Sequence, residues 1–213
     1  YSVRKFASST GLNACGPVTA RRKWSQSAAS QQRMPFHSGA ASRVPRVFIR
    51  LPRGGSSAGA FMKLVILAVG RGRATPEQEL ASEWLARLPH GGELIEVESK
   101  LPAGDARRTD EGQRLLRHCP DNIPLVACDP RGRDTSSEAM AKLLARWRDT
   151  GMASACFAIG GADGHSQELL ERAEAQIAFG SATWPHMLFR AMLAEQLYRA
   201  TMILAGHPYH RGN

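Results

Sequence analysis

From Met62 onward the sequence predicts an α/β fold, a mostly parallel sheet with helices on both faces. Three observations predict it. Short apolar runs of strand length recur: Lys63–Val69 (KLVILAV), Ile123–Cys128 (IPLVAC) and Ala153–Ile159 (ASACFAI). Stretches of helical period lie between them. Strands that alternate with helices need crossover connections, and crossovers give parallel pairing.

Lys63–Val69 ends at Gly70, as a buried strand does. Thr75 and Pro76 open a helix, with proline in its first turn. The apolar face of that helix is Leu80, Trp84, Leu85 and Leu88, and Pro89 with Gly91-Gly92 stops it. Glu93–Glu98 alternates like a half-exposed strand. Residues 105–118 read as a polar helix anchored by Leu115 and Leu116. The strand Ile123–Cys128 ends at Asp129-Pro130. Thr135-Ser136-Ser137-Glu138 has the spacing of a capping box. The helix it starts carries Met140, Leu143, Leu144 and Trp147 on one stripe and ends at Gly151. Ala153–Ile159 runs into Gly160-Gly161-Ala162-Asp163-Gly164. Ser166 caps a helix to about Ala175, Ile177–Thr183 forms a fifth strand, and Pro185 or His186 opens the last helix. In such sheets ligands bind beyond the carboxyl ends of the strands. Those ends are Gly70–Arg73, Cys128–Gly132, Gly160–Gly164 and Thr183–His186.

The chain has 213 residues and a formal net charge of +9, a balance often met in nucleic-acid binders. The distribution of charge argues otherwise. Ten of the 28 Lys and Arg lie in the first 61 residues, which contain no Asp or Glu. The remainder holds 18 basic residues against 19 acidic ones, so it gives no bulk electrostatic case for nucleic acid. Residues 1–61 are rich in Ser, Ala, Gly and Arg, with Pro17, Pro35, Pro45 and Pro52, and keep no helix or strand period. They are expected to form a disordered basic extension. Three origins fit it: an upstream segment from a misplaced start or from recombinant expression, an RNA-touching arm, or an organelle transit peptide. Cys15, Cys119, Cys128 and Cys156 are scattered, which suits a reducing, cytoplasmic setting. No apolar run is long enough to span a membrane.

The glycine loop after Ile159 is the strongest local signal. It lets backbone approach a ligand, but a tight βα turn without a ligand accounts for the loop equally well. A phosphate loop would need a Lys after the glycines, and none follows. Gly70-Arg71-Gly72 begins a dinucleotide fingerprint, but its third glycine is missing. There is no G-x-S-x-G, so hydrolase readings lack support. His207 and His210 have no acidic or Cys partner nearby, and no metal is expected. His90 and His118 read as surface residues and His165 as part of a turn. His186 is either a cap-region residue or a ligand. The last helix is apolar around nearly its whole circumference, which points to burial in a subunit interface as well as in the core. Glu195 and Arg199 are spaced to pair. Arg190, near the helix start, is the better functional candidate.

Taken in order, several blocks resemble one family. They are Met62-Lys63-Leu64 with Ala68-Val69-Gly70, the Asp129–Gly132 turn with its Ser-rich helix start, Ile159–Gly164, and Pro185-His186 with Arg190. Ala194-Glu195-Gln196-Leu197-Tyr198-Arg199-Ala200 and His207-Pro208-Tyr209-His210 complete the set. Together they resemble the RlmH (YbeA-like) family of the SPOUT superfamily, the pseudouridine N3-methyltransferases of 23S ribosomal RNA. The resemblance covers residues 62–213.

The resemblance implies a C-terminal trefoil knot, an obligate homodimer, and S-adenosylmethionine bound in a bent pose. It implies a pocket of three loops: Cys128 and Asp129; Gly160 and Gly161; and Phe179, Gly180, Ser181, Ala182, Thr183, Trp184 and Pro185. Cys128 and Trp184 stand where relatives commonly have Leu, and both keep an apolar wall against adenine. Arg190, His207, Tyr209 and His210, with Arg211, would position the target nucleotide or relay its N3 proton, some of them from the partner subunit. The near-neutral domain suits an enzyme that works on assembled ribosomes. The alternatives are a non-catalytic ribosome- or RNA-binding protein and a nucleotide-dependent oxidoreductase using Gly70-Arg71-Gly72.

Overall fold

The computed structural model describes residues 62–211, with side chains through Tyr209. The expected basic extension, 1–61, lies outside the described residues. Five strands, β1 (Lys63–Val69), β2 (Gly92–Val97), β3 (Leu125–Asp134), β4 (Ser154–Ile159) and β5 (Ala175–Ala178), form one sheet in the order β2-β1-β4-β3-β5. Every pairing in it is parallel. The helices are α1 (Pro76–Arg87), α2 (Asp105–Leu116), α3 (Ser137–Asp149), α4 (Gln167–Arg172) and α5 (His186–Leu204), followed by a 3-10 turn at Pro208–Arg211.

Alternation along β1 assigns the two faces. Leu64, Ile66 and Ala68 join one core with Leu85 of α1, Met140 and Leu144 of α3, and Leu193 and Leu197 of α5. Val65, Leu67 and Val69 join the other, with Leu115 of α2 and Leu169 of α4. Strands apolar on both sides therefore mean a sheet covered on both sides. The chain leaves β1 toward α1 on one face and leaves the adjacent β4 toward α4 on the other. Departures in opposite directions open a crevice at the strand ends.

The local signals explain the element starts. The Thr75 hydroxyl accepts from Gln78 N–H at the start of α1, and Pro76 sits in its first turn. At α3 the cap is Ser136, whose hydroxyl accepts from Ala139 N–H, not Thr135. Thr135 is still engaged in the sheet side, its N–H bonded to Ala178 O. Ser166 caps α4 as the sequence predicts.

Three boundaries differ from the sequence expectation by three residues or more. First, β3 does not end at Asp129-Pro130. Its register shifts between Cys128 and Arg133, and pairing resumes at Arg133 with Ile177 and Asp134 with Ala178. Pro130 falls inside this bulge, where no ladder donor is required. Gly132 lets the bulge close, since a Cβ there would lie 2.6 Å from Ile177 N. Second, α4 stops at Arg172, not Ala175, because Ala175 is already paired with Val126. Third, β5 ends at Ala178, not Thr183, and Gly180 turns the chain at φ +77°. Leu80, assigned to the apolar face of α1, is 42% exposed; Ala81 and Leu85 take the buried positions.

Candidate active site

The strand ends converge on one cavity of about 580 Å³. Of the residues the resemblance points to, Cys128, Asp129, Gly160, Gly161, Phe179, Gly180, Ala182, Thr183 and Trp184 line it. Ser181 and Pro185 belong to the same loop but do not line it. Val69, Gly70, His165, His186 and Phe189 complete much of the wall.

Each loop is shaped by its own residues. The β3 bulge is held by Asp129, whose carboxylate accepts from Arg131 N–H (2.8 Å) and from the Arg131 guanidinium at both oxygens (3.0 Å each). The bond from the Arg131 guanidinium holds the Asp129 carboxyl below its usual range, so it stays ionised. Burial pushes the Cys128 thiol far up, which keeps it protonated and apolar in character.

The glycine loop folds back on itself. Gly164 N–H donates to Gly161 O (3.0 Å), with Gly164 at φ +77°. A Cβ on Gly161 would lie 2.6 Å from Glu111 Oε2 and 2.9 Å from Val69 Cγ1, so only glycine fits between α2 and β1. The third loop is tied at both ends. Gly180 N–H donates to Asp134 (2.9 Å), and the Trp184 indole N–H donates to Phe179 O (2.9 Å). Trp184 remains 39% exposed at the mouth of the cavity, and the Phe179 ring lies 5.2 Å from that of Phe189.

His186 opens α5 beside this cavity. Its Nε2 is 2.9 Å from the Arg190 guanidinium, which can only donate, so that nitrogen accepts. Burial lowers its pKa and the neighbouring Arg190 charge lowers it further, which favours the neutral ring.

Arg190 has a different place from the one expected. Its side chain is fully buried and does not line the cavity. Its guanidinium donates to Glu96, to Val69 O (2.8 Å), to Gly70 O (2.8 Å) and to His186. It clamps the start of α5 to the ends of β1 and β2. The apolar surroundings of a helix core did not forbid an arginine because these acceptors meet both terminal nitrogens of the guanidinium, although its Nε has no partner.

The tail residues lie apart from the cavity of their own chain. Tyr209 donates through its hydroxyl to Glu195 (3.1 Å), packs 5.1 Å from the Tyr198 ring, and sits under the Arg199 guanidinium at 5.0 Å. His207 Nδ1 accepts from Tyr209 N–H at 3.2 Å. The side chain of His210 lies outside the described residues. Glu195 also accepts from Arg199 (2.9 and 2.6 Å), the pair the spacing predicts. Since α5 has 19 residues, its two ends are roughly 27 Å apart.

His165 is the cavity residue the sequence does not disclose. It reads as turn material, yet it is only 6% exposed and bonds Cys128 O across 37 residues at 2.9 Å. Nothing in a local pattern signals a contact of that separation. Among the described residues no cluster of His, Cys, Asp and Glu could hold a metal ion, and no helix is long and apolar enough to cross a membrane.

A parallel sheet with a loop-built cavity at its strand ends, followed by a long buried C-terminal helix, defines the class: the chain belongs to the SPOUT methyltransferase family. The family described as "Predicted SPOUT methyltransferase" matches residues 62–210. The particular relatives it resembles carry one name, ribosomal RNA large subunit methyltransferase H. The protein of Paramagnetospirillum magneticum is 49% identical over 151 residues, covering 70% of this chain and 99% of the relative. That of Rhodospirillum centenum is 50% identical over 151 residues, with the same coverage. That of Nitrobacter winogradskyi is 47% identical over 160 residues, covering 71% of this chain and all of the relative.

Proposed function

We propose that the chain is an S-adenosylmethionine-dependent methyltransferase acting on N3 of a pseudouridine in 23S ribosomal RNA of assembled ribosomes. The observation that carries this reading is the convergence of three separate loops on one cavity at the strand ends, in a chain of this family. The residues suit that cofactor. A cavity near 580 Å³ is ample for a nucleoside with a short side chain. Protonated Cys128 and the rings of Phe179 and Trp184 offer apolar walls to a purine, and the glycine loop offers backbone without side chains.

When bound, S-adenosylmethionine supplies a methyl group already activated on a sulfonium. The protein's part is positioning, exclusion of water and an exit for the N3 proton. Loops 128–132, 160–164 and 179–185 would hold the cofactor. Arg190 keeps His186 and the end of β1 in place beneath it, so its contribution is to positioning. His207, Tyr209 and His210 are proposed to face the nucleotide in the partner's cavity, since the helix separates them from their own. The tail and Arg211 would then contribute substrate contacts across a homodimer.

A surface groove supports that dimer. Leu80, Trp84, Leu188 and Met192 give it an apolar side between α1 and α5, the polar start of α3 gives the other, and a second copy is its proposed occupant. The SPOUT knot is proposed to be formed by loop 179–185 and α5. The oxidoreductase reading loses its basis in the structure. Gly72 N–H already donates to Glu96 (2.6 Å), so that donor is engaged by a carboxylate and is not offered to a pyrophosphate.

The deciding experiment is mass spectrometry of 23S RNA after incubation of the protein and labelled S-adenosylmethionine with ribosomes that lack the modification. One methyl on a pseudouridine is the expected product. No incorporation, with ribosome binding retained, would favour the non-catalytic reading.

A further inference from the structure

His165 joins two of the loops that shape the cavity, and nothing in the family assignment gives it a role. Its backbone is pinned on both sides. It follows the closed turn Gly161–Gly164, and Ser166 beside it caps α4. A Cβ on Gly160 would come within 3.2 Å of His165 N, so β4 and the exit of the loop are in tight contact. From this fixed base the ring reaches Cys128 O at 2.9 Å.

The chemistry of that bond has one solution. A carbonyl only accepts, so Nε2 carries the hydrogen and donates. Nδ1 is then the lone-pair nitrogen. It is buried, out of reach of water, and has no partner. Protonation there would create a second donor with no acceptor, and burial itself lowers the ring's pKa. The ring is a neutral, one-directional latch. It acts where the sheet cannot: Cys128 is the last regularly paired residue of β3 before the register shift.

We propose that His165 is a positioning residue for cofactor binding, fastening the β3 bulge to the glycine loop through Cys128 O. This rests on the reading of the cavity as the S-adenosylmethionine site. Loss of the latch frees residues 128–132 to move relative to Gly160–Gly164, and two walls of one cavity lose their common spacing. The consequence falls on cofactor affinity more than on the chemical step.

The test uses H165Q, H165N and H165L in the full chain. Gln can place an amide donor close to the position of Nε2; Asn is too short and Leu has none. Calorimetric titration with S-adenosylmethionine should show H165Q within about twofold of wild type, and H165N and H165L about tenfold weaker, the scale of one lost buried hydrogen bond. In ribosome methylation the same two variants should raise KM for the cofactor about tenfold and keep kcat within about twofold. A merely structural role would not give rescue by Gln together with that KM-against-kcat split. If H165L does not fold, the H165Q and H165N pair decides. Wild-type affinity in H165N or H165L, or equal loss in all three, overturns the inference. Failure of wild type itself to bind S-adenosylmethionine overturns the cofactor reading, and the inference with it.

Discussion

Substitution of Arg190 by Ala separates an anchoring arginine from a substrate-binding one. In the structure the guanidinium answers four acceptors: Glu96, Val69 O, Gly70 O and His186 Nε2. Removing it leaves the Glu96 carboxylate and two strand-end carbonyls without their donor. Breaking a buried pair from one side costs about 3–5 kcal/mol. The Glu96 side chain keeps 23% exposure and Gly72 N–H as a second donor, so water and backbone soften the loss. About 3 kcal/mol is the resulting figure. For a domain of this size that lowers Tm by about 6–12 °C. R190K should recover only part, since a lysine carries one ammonium and lacks the planar fork that reaches these acceptors. The assay is thermal unfolding by circular dichroism, paired with S-adenosylmethionine titration below the transition. Wild-type Tm with normal cofactor affinity and a lost methylation rate would refute the anchoring argument and restore Arg190 to the substrate.

Further outcomes follow from the same geometry. G132A should disrupt β3–β5 pairing, because the added Cβ would lie 2.6 Å from Ile177 N; a destabilisation of about 2 kcal/mol or more is expected in denaturant unfolding. The Asp129 pKa is depressed in the folded state, chiefly by the Arg131 guanidinium, so its stabilisation is present above the ordinary carboxylate pKa and is lost as pH falls through the lower folded value. D129N should therefore lower Tm at pH 7 and show a smaller further loss than wild type as the pH falls below about 4. L80R, on the open groove of α1, should yield monomers in sedimentation while cofactor binding by each chain persists, and methylation should fall if the partner's tail completes the site. Cofactor titration should change the fluorescence of the half-exposed Trp184 at the cavity mouth, and W184F should abolish that change.

Much of the fold is legible in the sequence because its signals are local. The β1 boundaries coincide with the apolar run, and the stripe Met140, Leu144 and Trp147 is buried as its period requires. The ends of the apolar strands at Cys128 and Ile159 could be chosen from their local pattern, whereas the loop at Phe179–Pro185 came from the family resemblance. What misled was long-range. Asp129-Pro130 looks like a strand end, but β5 captures the chain again at Arg133. Ile177–Thr183 looks like a full strand, but β3 offers it no partner beyond Asp134. Leu80 fits the helix stripe, but its place on α1 faces outward from the single chain.

By itself, then, the sequence determined the alternation of strands and helices, the parallel sheet and the family, because periodicity, caps and glycine turns are written within a few residues of where they act. Only the tertiary structure decided the surroundings of single side chains. Arg190 looked available because sequence shows a charge but not the acceptors around it; folding brings Glu96 to it across 94 residues. His165 looked like a turn residue because its partner, Cys128 O, comes from another strand. Hydrogen bonds and ion pairs of that kind depend on distances set by packing, and packing is a property of the whole sheet.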